Sequence, residues 1–369
     1  MPFVLPEYIP PSFEEPPLVN FPPVQFRAVT QPGVAPDEYH ATSIFPEYFQ
    51  VQKDDWRLLR ESRMDCVVVL DQDGFLKAKP FRHLQVGDLV ACGRRENGED
   101  GIFVHSSPFD PIHASSEKFA FRTHVSRETS FSIDYDELYD LLDHERQYGF
   151  ILWVLGPAVV FDQDARDAFV GIIRNGFAHG LLAGNALAVH DIEGALFGTA
   201  LGLEIYSKRH AVSGHYKHLD AINRVRTVGS IEKMVTGGFL TQGILYAAVT
   251  HNVPYVLAGS IRDDGPLPDV DVNVCEAQDQ MRAIAARATT VIAMATQLHA
   301  IATGNMTPCY KVMENNQVRP VYFYTVDMSE FAINKLTNRG SLTAHSILTN
   351  VQDFAVILER GLRRRFSQT

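Results

Sequence analysis

From Phe150 onward the chain alternates short, almost wholly apolar runs with segments of helical spacing. The apolar runs are Phe150 to Leu155, Gly180 to Ala183, Val253 to Ala258, Thr290 to Ala293 and Val321 to Val326. A strand that is apolar at both odd and even positions is buried on both faces. Between and around these runs, helical spacing covers Asp134 to Tyr148, Ala165 to Asn175, His218 to Val228, Ile231 to Thr236 and Gly243 to His251. It returns over Gln278 to Arg287, Met294 to Ala302, Ser329 to Arg339 and Val351 to Arg363. This alternation predicts an α/β fold, a parallel sheet with helices on both faces. No internal repeat is visible.

The first part of the chain reads differently. Residues 1–55 hold eleven of the 20 prolines, mixed with Phe, Tyr, Val and Leu. That pattern predicts an extended arm laying aromatic side chains on a surface, its own or a partner's. Cys66 to Leu70, the turn Asp71-Gln72-Asp73-Gly74 and Phe75 to Ala78 read as a hairpin, with a further strand at Leu89 to Gly93. The expected division is an arm over 1–55, a small β-rich domain over 56–128 and an α/β domain over 129–369. Two or three units agree with a length of 369 residues at roughly 150 residues per domain.

Charge narrows the function classes. A net charge of -11 with no basic stripe argues against nucleic acid and against anionic membranes. The one basic cluster, Arg363-Arg364-Arg365, suits the negative end of a terminal helix. No apolar run reaches the roughly 18 to 20 residues of a membrane span, and the opening lacks the basic-then-apolar pattern of a signal peptide. Cys66, Cys92, Cys275 and Cys309 show no C-x-x-C spacing, which suits reduced thiols in the cytoplasm and not a metal site.

Chemistry concentrates at the predicted strand ends. The stretch Ala258 to Asp269, AGSIRDDGPLPD, follows a strand and carries Gly259, Ser260, Arg262, Asp263, Asp264 and Asp269. Charges crowded there are costly unless they bind something. An α-amino acid needs a cation for its carboxylate and an anion for its ammonium, and Arg262 with Asp263 and Asp264 supplies both. A structural Arg–Asp pair is the competing reading. Gly156-Pro157-Ala158 lies between a strand and a helix, where a nucleotide phosphate can sit, but no G-x-G-x-x-G is present and a plain turn is the alternative.

The segment 183–193, AGNALAVHDIE, is denser in polar groups. Asn185 could reach a cofactor amide or ribose. His190 and Asp191 could handle protons, or Asp191 could cap a helix that begins at Ile192. His215 or Lys217, in Ser213 to His218, could meet an anionic substrate, with a solvated loop as the alternative. Asp327 ends an apolar strand, a common place for an adenosine-ribose acceptor; it or Ser329 could instead cap the next helix. Gly304 reads as a helix C-cap.

The runs AGNALAVHDIE (183–193), LFGTALG (196–202), HLDAINRVRTVGSI (218–231), NVPYVLAGSIRDDGPLPD (252–269), LHAIATGN (298–305) and NRGSLTAHSILTNV (338–351) together resemble one family. It is the LOR/SDH-type conserved-domain family, which includes archaeal ornithine cyclodeaminases and the C-terminal half of the cyanobacterial bifunctional arginine dihydrolase/ornithine cyclodeaminase. The resemblance spans roughly residues 64 to 360.

It implies a deoxyhypusine synthase-like, Rossmann-like NAD-binding domain after a small β-containing one. It also implies a homo-oligomer, dimer or tetramer, acting on a small amino acid. The implied reaction turns L-ornithine into L-proline and ammonia: hydride leaves the α-carbon for the nicotinamide, the δ-amine closes onto that carbon, ammonia departs and the hydride returns. Such a site must stay dry.

On this reading Gly156, Pro157, Asn185, Ala186, Gly259, Ser260 and Asp327 border NAD. Arg262 holds the substrate carboxylate. Asp263 or Asp264 takes the ammonium or acts as base, and His190 and Asp191 stand in reserve. Two departures from the family pattern are expected: no arginine dihydrolase module, and an unusual N-terminal region over residues 1–63. The alternatives are NAD-dependent amine dehydrogenation and transfer on another amine, or a non-catalytic NAD-binding sensor or partner subunit.

Overall fold

The computed structural model describes residues 3–109, 135–329 and 343–366. Its centre is a seven-stranded parallel sheet. The strands are Ile151–Leu155, Gly180–Gly184, Tyr255–Ala258, Val270–Asp271, Thr290–Met294, Tyr322–Asp327 and Thr343–Leu348. Numbered along the chain, their spatial order is 4-3-2-1-5-6-7. The chain builds outward from Ile151–Leu155 in one direction, then returns and builds the other way from Thr290–Met294, which pairs with that first strand. In such sheets the crevice at the reversal point, beyond the strand C-termini, is where ligands bind.

Alternation along the first strand explains the two layers. Ile151, Trp153 and Leu155 join a core with Phe169, Leu187, Leu245 and Phe354. Leu152 and Val154 face the other way, onto Met281, Ile284 and Ala300. The larger core is covered by the helices Tyr135–Tyr148, Gln163–Arg174, Asn185–Phe197, Ile244–Thr250 and Val351–Phe366, the smaller by Val274–Ala285 and Gln297–Met306. Trp153 is fully buried, and its indole N–H donates to the Phe177 carbonyl at 2.8 Å, so its burial leaves no polar group unpaired.

Most predicted elements are present, with shifted ends. Four elements depart further. The helix Asn185–Phe197 starts directly at the end of a strand, so Asp191 lies mid-helix and caps nothing of its own. The helix Gln297–Met306 runs through Gly304, which is therefore not a C-cap. The terminal strands Val270–Asp271 and Thr343–Leu348 carry too few apolar residues to have stood out. The helix expected over Ser329 to Arg339 lies almost wholly outside the described residues, as does the expected boundary near 128.

The N-terminal region forms two small antiparallel sheets. One holds Gln25–Ala28, Leu89–Cys92, Val67–Leu70 and Leu76–Lys79; the other holds Asp55–Leu58, Glu47–Gln52 and Ile102–Val104. The hairpin expected at 66–78 is there, with Val67 opposite Lys79 and Leu70 opposite Leu76. Gln25–Ala28 and Glu47–Gln52 come from the proline-rich stretch, so that stretch is in large part woven into the β-rich unit. Val24, Phe49, Leu59, Val68, Ala91 and Ile102 pack between the sheets. Of the described residues before Gln25, Phe3 and Leu5 pack against the larger core and Phe13 stacks on Trp56 at 4.5 Å.

Candidate functional site

A cavity of about 630 Å³ opens at the reversal point, within the usual size of a ligand pocket. Gly156 and Pro157 follow one strand, Gly184 to Leu187 another, and Ala258 and Ser260 to Gly265 a third; Thr296, Leu298 and His299 come from the loop and helix after Thr290–Met294. His190, from the Asn185–Phe197 helix, and His218 complete the polar lining.

The floor is built for close approach. Gly156 donates to the Met294 carbonyl at 2.8 Å. A Cβ on Gly156 would fall 1.9 Å from the Ala295 carbonyl oxygen, so only glycine lets these two strand ends meet. Ala295 itself has φ of +50°, a left-handed conformation that non-glycine residues seldom adopt. A Cβ on Gly184 would meet the His299 ring at 2.9 Å. Gly184 is the N-cap of Asn185–Phe197, and no side chain caps that end. Its backbone N–H groups and the positive end of its dipole therefore face the cavity, ready for an anion.

The opposite wall is the loop Ser260 to Gly265, and it is stapled in place. Asp263 Oδ2 accepts from the Ser260 N–H at 2.8 Å and Oδ1 from Asn185 Nδ2 at 3.3 Å. The Asn185 Oδ1 accepts from the Leu267 N–H at 3.1 Å. Both ends of the Asn185 amide are thus engaged by the loop, and its side chain positions Asp263. Asp263 is half-buried, while Arg262 and Asp264 are exposed at the mouth.

Two histidines stand between these walls. His190 Nδ1 lies 2.8 Å from Glu193 Oε2, one helical turn on. Glu193 is fully buried and its other oxygen accepts from Thr199 Oγ1 at 2.8 Å. A carboxylate held this way fixes the imidazole's orientation and supports proton transfer at Nε2. Burial holds His299 below its ordinary 6.5, with the Asp263 carboxylate opposing in part. His299 is accordingly neutral at pH 7 and can accept a proton.

The remaining expected residues fall elsewhere. Asp191 is a correction: it does not line the cavity. Its fully buried carboxylate pairs with Arg166 Nε at 2.7 Å and accepts from the Ile244 and Leu245 N–H groups at 3.0 and 2.8 Å. Three donors engage its two oxygens, so it caps the Ile244–Thr250 helix from a neighbour. Gly259 packs against the adjacent strand, its N–H donating to the Asp271 carbonyl at 2.8 Å. Asp269 accepts from the Ile231 N–H and anchors that helix; burial pushes its pKa up. Asp327 shares the sheet's C-terminal edge, two strands from Ile151–Leu155, and accepts from the Ser329 N–H at 2.8 Å; it does not line the cavity. His215 and Lys217 face away, Lys217 over the Phe197 ring at 4.9 Å.

Residues 137–358 match the family described as the arginine dihydrolase ArgZ-like, C-terminal, Rossmann-fold domain. An ornithine cyclodeaminase of Methanopyrus kandleri is 37% identical over 343 residues, 92% of this chain and 79% of its own. The chain belongs to this family. A LOR/SDH protein of Methanococcus maripaludis S2 superimposes with a TM-score of 0.82 at 32% identity, over 93% of this chain and 98% of its own. AgrE, solved as a ternary complex with ornithine and NAD+, matches at 30% identity and a TM-score of 0.60, over 95% of this chain and 46% of its own.

These matches correct one expectation. The 8% of the chain outside the Methanopyrus match is about half the length of residues 1–63, so much of that region also resembles the family. Sequence reasoning gave no role to Glu193, His218, Thr296 or His299. The His190-x-x-Glu193 spacing was a readable signal, since residues three apart share a helix face. His299 needed the strand order, because only the reversal point makes the segment after Met294 part of the site.

Proposed function

We propose that the protein is an NAD-dependent ornithine cyclodeaminase, converting L-ornithine or a closely related diamino acid to L-proline and ammonia. One observation carries this reading: a single cavity joins an uncapped helix N-terminus to a loop with one cation and two carboxylates, and three histidines line it as well. The names of the relatives, and the ligands in the AgrE complex, point the same way.

The residues fit NAD. The N–H groups at Asn185, Ala186 and Leu187 would meet its pyrophosphate, Gly156, Pro157 and Gly184 leave room beside them, and Gly259, Ser260 and Asp327 border the same edge. Bound there, NAD supplies a transient oxidant, so the reaction closes with no net redox change.

Arg262 grips the substrate carboxylate and folds in from the mouth to do so. Asp263, fixed by Ser260 and Asn185, faces the α-ammonium, and Asp264 takes the proton that the δ-ammonium must lose before its nitrogen closes onto the α-carbon. His299, being neutral, accepts a proton from the amine that becomes the imine. His190, steadied by Glu193, returns a proton to the departing nitrogen. The apolar lining from Leu155, Leu187, Ile222 and Leu298 keeps water away from these steps, as a reactive imine requires.

We further infer a cytoplasmic homo-oligomer, a dimer or tetramer. All four cysteines are free thiols, and no described helix is long and apolar enough to cross a membrane. Tyr206 and Val212 expose 82% and 91% of their surface, which supports a contact with another copy.

Incubating the protein with ornithine and NAD, then assaying proline and ammonia, tests the reading. One proline per ammonia is expected. A condensed secondary amine would favour amine transfer instead, and tight NAD binding without turnover of ornithine, lysine or diamines would favour a sensor.

A further inference from the structure

A second cavity, about 80 Å³, lies between the β-rich unit and the parallel sheet and shares no lining residue with the first. Four cations line it: Arg60, Arg63, Arg282 and Lys311; Glu61, exposed, is its one carboxylate. Arg63 is only 8% exposed, and its Nη1 is buried without a hydrogen-bond partner. The Nε and Nη2 of Arg282 are buried and equally unpartnered, while its Nη1 donates to Asp279 at 3.3 Å. Asp279 is itself gripped by both terminal nitrogens of Arg82. Lys311 gives its ammonium to the Ala286 carbonyl.

Guanidinium N–H groups buried without acceptors carry their full desolvation cost. Two guanidiniums and an ammonium in one small space also repel one another. Burial holds both Arg63 and Lys311 below their ordinary pKa, as expected of cations short of partners. Three buried guanidinium nitrogens without acceptors, on residues that line one cavity, and the surplus positive charge are the complement of a compact oxyanion. The volume admits such an ion and excludes a dinucleotide.

We propose that this cavity is a binding site for a small oxyanion, a phosphate or a carboxylate, held by Arg63, Arg282 and Lys311. The site is separate from the NAD cavity, so it stands whether or not the function proposed above does.

Titration calorimetry on the full chain with inorganic phosphate tests it, at constant ionic strength in chloride and with NAD present to fill the first cavity. Acetate in a parallel titration distinguishes a phosphate site from a carboxylate site. One anion per chain is expected to bind, and Arg282→Gln to weaken it at least tenfold while leaving the NAD-induced rise in Tm unchanged. Arg282 is the residue to vary because Asp279 keeps Arg82 as a partner. Lys311→Met is the second variant, and the same weakening is expected. No binding of either anion at 10 mM (a concentration of order ~100 Kd for a 0.1 mM site), or undiminished binding in both variants, would overturn the proposal.

Discussion

In the proposed reaction the chemistry turns on His299, whose behaviour with pH follows from its burial and from one neighbour, Asp263. Burial lowers its pKa and Asp263 partly restores it. A group whose folded pKa is depressed contributes stability above its unfolded value and loses it as pH falls through the folded one. The neutral imidazole is therefore present at pH 7, and the acid limb of kcat/KM is expected below pH 6.5. Replacing Asp263 by Asn removes the opposing charge, so the limb should move to still lower pH while KM for ornithine rises. A limb that stays put in Asp263→Asn separates His299 from the titration. Glu193→Gln should lower kcat by roughly 10²- to 10⁴-fold, the usual worth of acid–base catalysis, with NAD affinity kept. A change confined to KM would make the His190–Glu193 pair a binding device.

At the scale of elements, the sequence carried the strands and helices better than their ends. Wholly apolar runs such as Ile151 to Leu155 announce a doubly covered strand whatever surrounds them, so the sheet was legible. The role of Asp191 was not, because its partners Arg166, Ile244 and Leu245 are 25 to 54 residues away in sequence. Proximity to His190 suggested chemistry; the fold uses Asp191 to hold three helices together. Asp191→Ala should cost about 3–5 kcal/mol, as breaking a buried ion pair does, read as a lower urea midpoint. A variant of unchanged stability would contradict the assignment. Gly156→Ala drives a methyl into the Ala295 carbonyl. It should destabilise by about 1–3 kcal/mol and weaken NAD binding together, measured by thermal shift with and without cofactor.

For the whole molecule, the candidate cavity is a product of topology. Gly156, Asn185, Arg262 and His299 are spread over more than a hundred residues, and the 4-3-2-1-5-6-7 strand order brings them to one crevice. Gly156, Ala186, Ser260 and the 262–264 loop, singled out by motif position at strand ends, do line this cavity. Motif position did not find which side chains point inward, since that depends on packing across the sheet. Saturating NAD at about 100 times its Kd should stabilise the fold by about 2.7 kcal/mol.

The most direct test of the central claim uses L-ornithine deuterated at the α-carbon. Proline that keeps the deuterium at its own α-carbon, formed with one ammonia and no accumulating NADH, is the expected result. Proline without the label, or NADH released in step with substrate loss, would contradict a closed cycle within this cavity.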